Sequence, residues 1–223
     1  MKHLFVVAHP DDEALGSGAS IYKLVREGHE VAVATLANHA AARHNLSSHL
    51  NEEQTRAHAI LGISKSYAAD FPNIKMNTVP HLELVQFVES CIADFVPDLV
   101  ITHSPAETNN DHSITSGAVQ AALRYPQRNE HVPPIRELWY MECGSSTEWC
   151  VDSSVHRFTP NLFLEIGEEG LEKKLEALSC YAGVMRPYPH PRSDEALRGL
   201  AAWRGAQAGC RYAEAFECVF RRI

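Results

Sequence analysis

No apolar run among these 223 residues approaches the roughly 20 that a membrane-spanning helix needs, although hydrophobic residues make up 45% of the chain. The chain enters a strand pattern at once, without the basic region, long apolar core and cleavage site of a secretory leader. A cytoplasmic location is the expectation that follows. Cysteine pairs are missing too. Cys91, Cys143, Cys150, Cys180, Cys210 and Cys218 are scattered, and no two stand as CxxC. In a cytoplasmic chain they read as small buried apolar side chains or free thiols. Long runs of one charge are also absent, which excludes a basic arm or an acidic tail. The formal net charge of −8 argues against the nucleic-acid backbone as the main partner. There is no Walker A sequence and no GxSxG elbow, so neither a P-loop nor a hydrolase serine is indicated. Gly16-Ser17-Gly18 lacks the third glycine of a dinucleotide fingerprint and lies inside a helix pattern. Small residues there let a helix pack close to a sheet.

What is present is a regular alternation of short apolar runs and helical periods. Residues 4–8, Leu-Phe-Val-Val-Ala, read as a buried strand of a parallel sheet. A helix over 14–27 follows, with Ile21, Leu24 and Val25 inward and Gly28 as its stop. A second strand spans 31–36. A polar, His-rich loop over 38–51 leads to a helix ending at 61, with Gly62 as its cap. A short strand near 67–69, a helix opened by Pro80 and ending before Pro97, and a strong strand over 99–102 come next. A helix to about residue 124, strands at 137–141 and 163–166, helices at 168–180 and 193–207, and a strand at 215–220 complete the pattern. No repeat, linker or low-complexity tract interrupts it. The pattern predicts a single α/β domain over 1–223, Rossmann-like, with a mostly parallel sheet flanked by helices.

Chemistry concentrates at two strand ends. His9-Pro10-Asp11-Asp12-Glu13 closes the first strand, the edge at which open α/β sheets bind ligands. His9 and Asp12 are three apart and can converge on one point, while Asp11 points elsewhere. Acidic residues also cluster at helix starts simply to cap them. A second constellation follows the 99–102 strand: His103-Ser104-Pro105-Ala106-Glu107-Thr108-Asn109-Asn110-Asp111-His112. It can face the first across the sheet edge. His112 would then supply a third ligand, and Asp111 would orient an imidazole or nearby loop amides. Two histidines and one carboxylate with an open position suit catalytic zinc, and other divalent transition metals fit the same donors.

These pieces together resemble the PIG-L/LmbE-like family of zinc-dependent amino-sugar deacetylases. The resemblance rests on HPDDE after strand one, Arg43 after strand two and Asn109-Asn110-Asp111-His112 after the later strand. Pro189-His190-Pro191-Arg192-Ser193 and Tyr212-Ala213-Glu214-Ala215-Phe216 extend it over roughly residues 4–220. It implies a zinc ion held by His9, Asp12 and His112, with Asp11 as general base, removing an acyl group, usually acetyl, from an N-acylated amino sugar or its conjugate. Zinc lowers the pKa of water to about 7 and polarises an amide carbonyl. Asp11 would take the water's proton and return it to the leaving amine. Some members carry a histidine three residues before the second ligand histidine, where it steadies the oxyanion. Here Asn109 stands in its place and can donate a hydrogen bond but no proton. His103 and His190 are alternative proton donors or structural histidines. Family members commonly form homo-oligomers.

Arg43 and Arg192 are each a candidate clamp for sugar hydroxyls or phosphate, and each is equally readable as a surface or ion-paired arginine. Trp139, Tyr140 and Trp149 offer stacking surfaces or ordinary core. Two other functions remain open: a zinc amidohydrolase acting on a non-sugar amine, and a noncatalytic sugar- or nucleotide-binding protein. Intact Asp11 speaks against the last, because a binding site gains nothing from a spare carboxylate beside a metal.

Overall fold

The computed structural model describes residues 1–37, 49–151, 154 and 156–223. Its strands are β1 Lys2–Val7, β2 Glu30–Thr35, β3 Lys65–Ala68, β4 Leu99–His103, β5 Glu137–Met141, β6 Leu162–Glu165 and β7 Ala213–Arg221. Its helices are α1 Asp12–Arg26, α2 Leu50–Leu61, α3 His81–Phe95, α4 Asn110–Ala122, α5 Gly167–Ser179 and α6 Asp194–Ala208. The sheet order is β3-β2-β1-β4-β5-β7-β6. The pairs β3–β2, β2–β1, β1–β4 and β4–β5 are parallel, and β7 runs antiparallel to both β5 and β6. Strand order reverses between β1 and β4, the crevice where such sheets bind ligands.

Side chains of β1 alternate between two cores. Phe5 and Val7 join a cluster with Leu15, Ile21, Leu61, Leu171 and Leu178 from α1, α2 and α5. Leu4 and Val6 join Leu84, Val88, Ile92 and Val119 from α3 and α4 on the other face. Burial on both faces is why β1 reads as an unbroken apolar run rather than an alternating one. Helix ends follow local chemistry. Gly62 sits at φ 76° and its N–H closes α2, the left-handed stop that glycine allows without strain. Ser193 caps α6 by accepting from the Ala196 amide at 3.1 Å.

Gly16-Ser17-Gly18 does more than permit close packing. A Cβ on Gly16 would lie 2.6 Å from Met141 Sδ on β5, and one on Gly18 would lie 3.2 Å from Lys174 Cγ on α5. The helix also breaks here, with Ser17 at φ −147°. The amides after the break are taken by Glu214 of β7, which accepts from Ser20 N at 2.7 Å and from Ala19 N at 3.4 Å while Lys174 Nζ donates to it at 2.6 Å.

At the opposite end of β1 from HPDDE, His3 is 3% exposed, its ring 4.8 Å from that of His29, and neither nitrogen of the His3 ring finds a hydrogen-bond partner among the described residues. Burial first, then the charges of His29 and the chain's amino group, push its pKa down to about 4 against a smaller opposing pull from Asp98. The unfolded chain therefore takes up this proton near pH 6.5 and the folded chain does not. Stability is lost as pH falls from about 6.5 to about 4, by about 2–3 kcal/mol from this group. Urea unfolding across that range should show a shallower decline for His3→Leu than for the wild type. Parallel declines would mean that His3 is not the group responsible.

Candidate metal centre

Four chain segments meet at the crevice. The turn between β1 and α1 brings His9 to Glu13. The loop from β4 into α4 brings His103 to His112. The segment after β5 brings Cys143 to Thr147, and the turn before α6 brings His190 and Arg192. At their centre is Asp12. Its Oδ2 lies 3.2 Å from His9 Nδ1, 3.3 Å from His112 Nε2 and 3.4 Å from His103 Nε2, and accepts the His9 amide at 2.8 Å.

Among the described residues two trios bring ligand atoms within 4.8 Å of one another: His9, Asp12 and His112, or His103, His112 and Cys143. Geometry separates them. The rings of His103 and His112 stack at 3.9 Å and 18°, so their in-plane lone pairs run in nearly parallel sheets and do not meet at one ion. Burial, with the charges of Asp12 and Glu107, drives the Cys143 pKa well above the usual thiol range. Without an ion the Cys143 thiol donates to Asp12 Oδ1 at 3.7 Å, and it is the ring geometry that favours the first trio.

The rings of His9 and His112 instead meet at 47° with centroids 5.4 Å apart. Each has its outer nitrogen on a carboxylate: His9 Nε2 on Asp111 Oδ2 at 3.1 Å, His112 Nδ1 on Glu107 Oε2 at 3.3 Å. That leaves His9 Nδ1 and His112 Nε2 turned toward Asp12. Burial works against charge on both rings. For His9 the hydrogen bonds to Asp111 and Asp12 outweigh it and hold the pKa up at about 9. For His112 the charge of Asp12, with hydrogen bonds to Asp12 and Glu107, holds it up at about 10. Surroundings that favour an imidazolium favour any cation in the same place. The donors fit a divalent metal of the zinc class.

Asp11 stands beside this trio with φ 111°, a conformation few residues adopt and one that Asp and Asn tolerate better than most. The Asp11 amide donates to Glu13 Oε2 at 3.2 Å, and Glu13 Oε1 accepts the Tyr181 hydroxyl at 2.5 Å. Burial, followed by the charge of Asp12, raises the Asp11 pKa to about 7 against the pull of Arg192. Arg192 Nη1 is 3.3 Å from Asp11 Oδ2, and its Nε donates to Ser145 Oγ at 2.7 Å.

The other sequence candidates fall as follows. Asp111 Oδ2 also accepts Ile74 N at 2.5 Å, and its Oδ1 accepts Met76 N at 3.1 Å. Asn109 caps α4: its Oδ1 accepts the Asp111 amide at 3.0 Å, and it is the Nδ2 amide hydrogens that the sequence reading would aim at an oxyanion. His103, expected on the substrate side, is instead fully enclosed, with Nε2 accepting the Ala8 amide at 3.0 Å. It is the last residue of β4 and faces inward under Asp12, so it cannot touch substrate. His190 is exposed and its Nδ1 accepts the Arg192 amide, ordering the turn that delivers Arg192. Arg43 lies outside the described residues. Trp139 packs on Phe216 and Tyr140 is buried, whereas Trp149 is exposed. Sequence reasoning missed Glu107, Cys143 and Thr147. Only Glu107 carried a signal, an acidic residue five positions before His112.

Replacing Asn109 with alanine removes the cap and should lower stability by about 1 kcal/mol. Turnover should fall while zinc stays bound, as kinetics beside metal analysis would show. Unchanged turnover would take Asn109 out of the chemistry.

A family model described as PIG-L, GlcNAc-PI de-N-acetylase, matches residues 4–123. A diacetylchitobiose deacetylase of Thermococcus kodakarensis is 26% identical, over 98% of this chain and 83% of its own length. The structure of N,N'-diacetylchitobiose deacetylase from Pyrococcus horikoshii has a TM-score of 0.78 and 22% identity, covering 98% of this chain and 83% of that one. The structure of GalB, a 4-carboxy-2-hydroxymuconate hydratase from Pseudomonas putida, has the same TM-score and identity, covering 100% and 98%. These structural likenesses carry the fold and leave the reaction to the site.

Proposed function

This chain belongs to the PIG-L family, whose model matches more than half of it, and from that premise we propose that it is a zinc-dependent hydrolase removing an N-acyl group, usually acetyl, from an amino sugar or amino-sugar conjugate. The observation that carries the reading is the convergence of His9 Nδ1 and His112 Nε2 on Asp12 Oδ2 with Asp11 alongside. His9, Asp12 and His112 would hold the ion, and an ion bound there supplies a Lewis acid for water and the amide carbonyl.

The chain's own groups do the rest. Asp11 accepts the proton of the attacking water while the hydroxyl oxygen adds to the acyl carbon. Asp11 then returns that proton to the nitrogen as the C–N bond breaks, giving a carboxylic acid, which loses its own proton to solvent, and a primary amine. Arg192, 3.3 Å from Asp11 Oδ2, helps to hold that carboxylate in place and, with part of its side chain open to solvent, can also meet negative charge on the carbonyl oxygen. Residues 1–223 act as one domain. The six free cysteines suit a reducing compartment such as the cytoplasm. No helix among the described residues is long and apolar enough to cross a membrane.

The test is release of primary amine from free, glycosidic and nucleotide-linked N-acyl amino sugars, with zinc and after chelation. Diacetylchitobiose joins the panel because it names the relatives' substrate. An unsaturated hydroxy-tricarboxylate arm checks the hydration chemistry named for GalB. Zinc-dependent amine release is expected. Silence from zinc-loaded protein across every amide would overturn the assignment.

A further inference from the structure

We propose that Glu107 is a positioning residue for His112, locked in that task by Thr147. The inference rests on reading His112 as a metal ligand. The Glu107 carboxylate is wholly enclosed, and the one ionic partner it has among the described residues is His112, at 3.3 Å from Nδ1. A buried carboxylate without Lys or Arg is unfavourable unless a neighbouring group carries positive charge. Here the group that faces it is the His112 ring.

Thr147 accounts for the orientation. Its Oγ1 accepts the Cys143 amide at 2.8 Å, so its lone pair is engaged and its proton is free to go elsewhere. The nearer acceptor is Glu107 Oε1 at 2.5 Å, ahead of the Cys143 carbonyl at 3.2 Å. One carboxylate oxygen thus binds the hydroxyl and the other faces Nδ1. With Nδ1–H donated to Glu107, the remaining lone pair of His112 sits at Nε2, which faces Asp12 Oδ2 at 3.3 Å. His103, stacked on the ring, fixes its plane, and Glu107 fixes its rotation and tautomer. A carboxylate behind a ligand imidazole also makes it a stronger donor, and losing such a partner typically weakens metal binding by about 10–100-fold.

The experiment uses the full chain with zinc alone as probe, its Kd measured by competition with a chromophoric chelator. Glu107→Ala should weaken zinc about 10–100-fold. Glu107→Gln should fall between it and the wild type, since the amide oxygen still accepts from Nδ1–H but carries no charge. Thr147→Val should weaken zinc by a smaller factor. Circular dichroism of the metal-free variants separates loss of the ligand from loss of the fold, and Glu107→Gln keeps the test open if Glu107→Ala fails to fold. Folded Glu107→Gln and Thr147→Val that bind zinc as the wild type does would overturn the proposal and leave the deacetylase reading intact. Wild-type protein that binds no zinc would overturn both.

Discussion

Asp11→Asn should lower the turnover of amide hydrolysis by about 10²–10⁴-fold, the range for losing a positioned general base, while zinc content stays at the wild-type level. Asparagine is the informative replacement because Asp11 sits at φ 111°, where Asp and Asn are tolerated better than alanine. It keeps the hydrogen bond that the backbone N–H of residue 11 donates to Glu13 Oε2 and a side chain that still reaches Arg192. What it removes is the ability to accept and return a proton. The ligands themselves are untouched, since Asp11 is absent from both metal-capable trios. The check is steady-state kinetics beside elemental analysis of the same preparation. Loss of zinc together with activity would make Asp11 a ligand rather than a base. Activity within tenfold of the wild type would move the base to another group.

Asp12→Asn should have the opposite signature: zinc lost, and activity lost with it. Its Oδ2 is the point toward which three imidazoles and a backbone amide converge. Burial alone would raise the pKa of Asp12, but the charge of His112 beside it and its hydrogen bond hold it well below the usual carboxylate range. It is therefore an anion over the whole neutral range. Removing a ligand should weaken zinc by more than the roughly 100-fold upper range for partners behind the ligands. The metal-free protein should suffer as well. The Asp12 charge is what holds His112, and in part His9, protonated, so without it the rings move toward neutral imidazole, and breaking the buried pair costs up to about 3–5 kcal/mol. Zinc analysis after dialysis and thermal unfolding of both metal-free proteins measure the two effects separately. Retained zinc would transfer the ligand role elsewhere.

How much of this was legible in the sequence depended on distance along the chain. β1, α2, α3 and β4 announce themselves through apolar runs, Gly62 and Pro80, because those signals act within a few residues. HPDDE and Asp111-His112 were legible for the same reason, each being compact and placed at the end of a strand. The antiparallel course of β7 was not. It depends on which strand a segment meets after two successive helices, and the β7 segment reads as apolar and extended whichever way it runs. The break at Ser17 was also hidden, since it is held open by Glu214, nearly two hundred residues away. His103 shows the converse error: its place beside a loop suggested access to substrate, but the end of β4 turns it inward beneath Asp12. Glu107 and Thr147 lie forty positions apart, and only the fold places a hydroxyl against that carboxylate.

Because β1 and β4 are sheet neighbours, His9 and Asp12 face His112 across a single strand boundary while standing about a hundred residues away along the chain. An ion shared by the two sides would tie the first tenth of the polypeptide to its middle, closing a loop whose entropy the unfolded chain would otherwise recover. Stability then scales with the free ion concentration relative to its Kd. A chelator would therefore act as a mild denaturant aimed at one seam, β1 against β4. Hydrogen exchange at the ends of those two strands should quicken before that at β5 or β7.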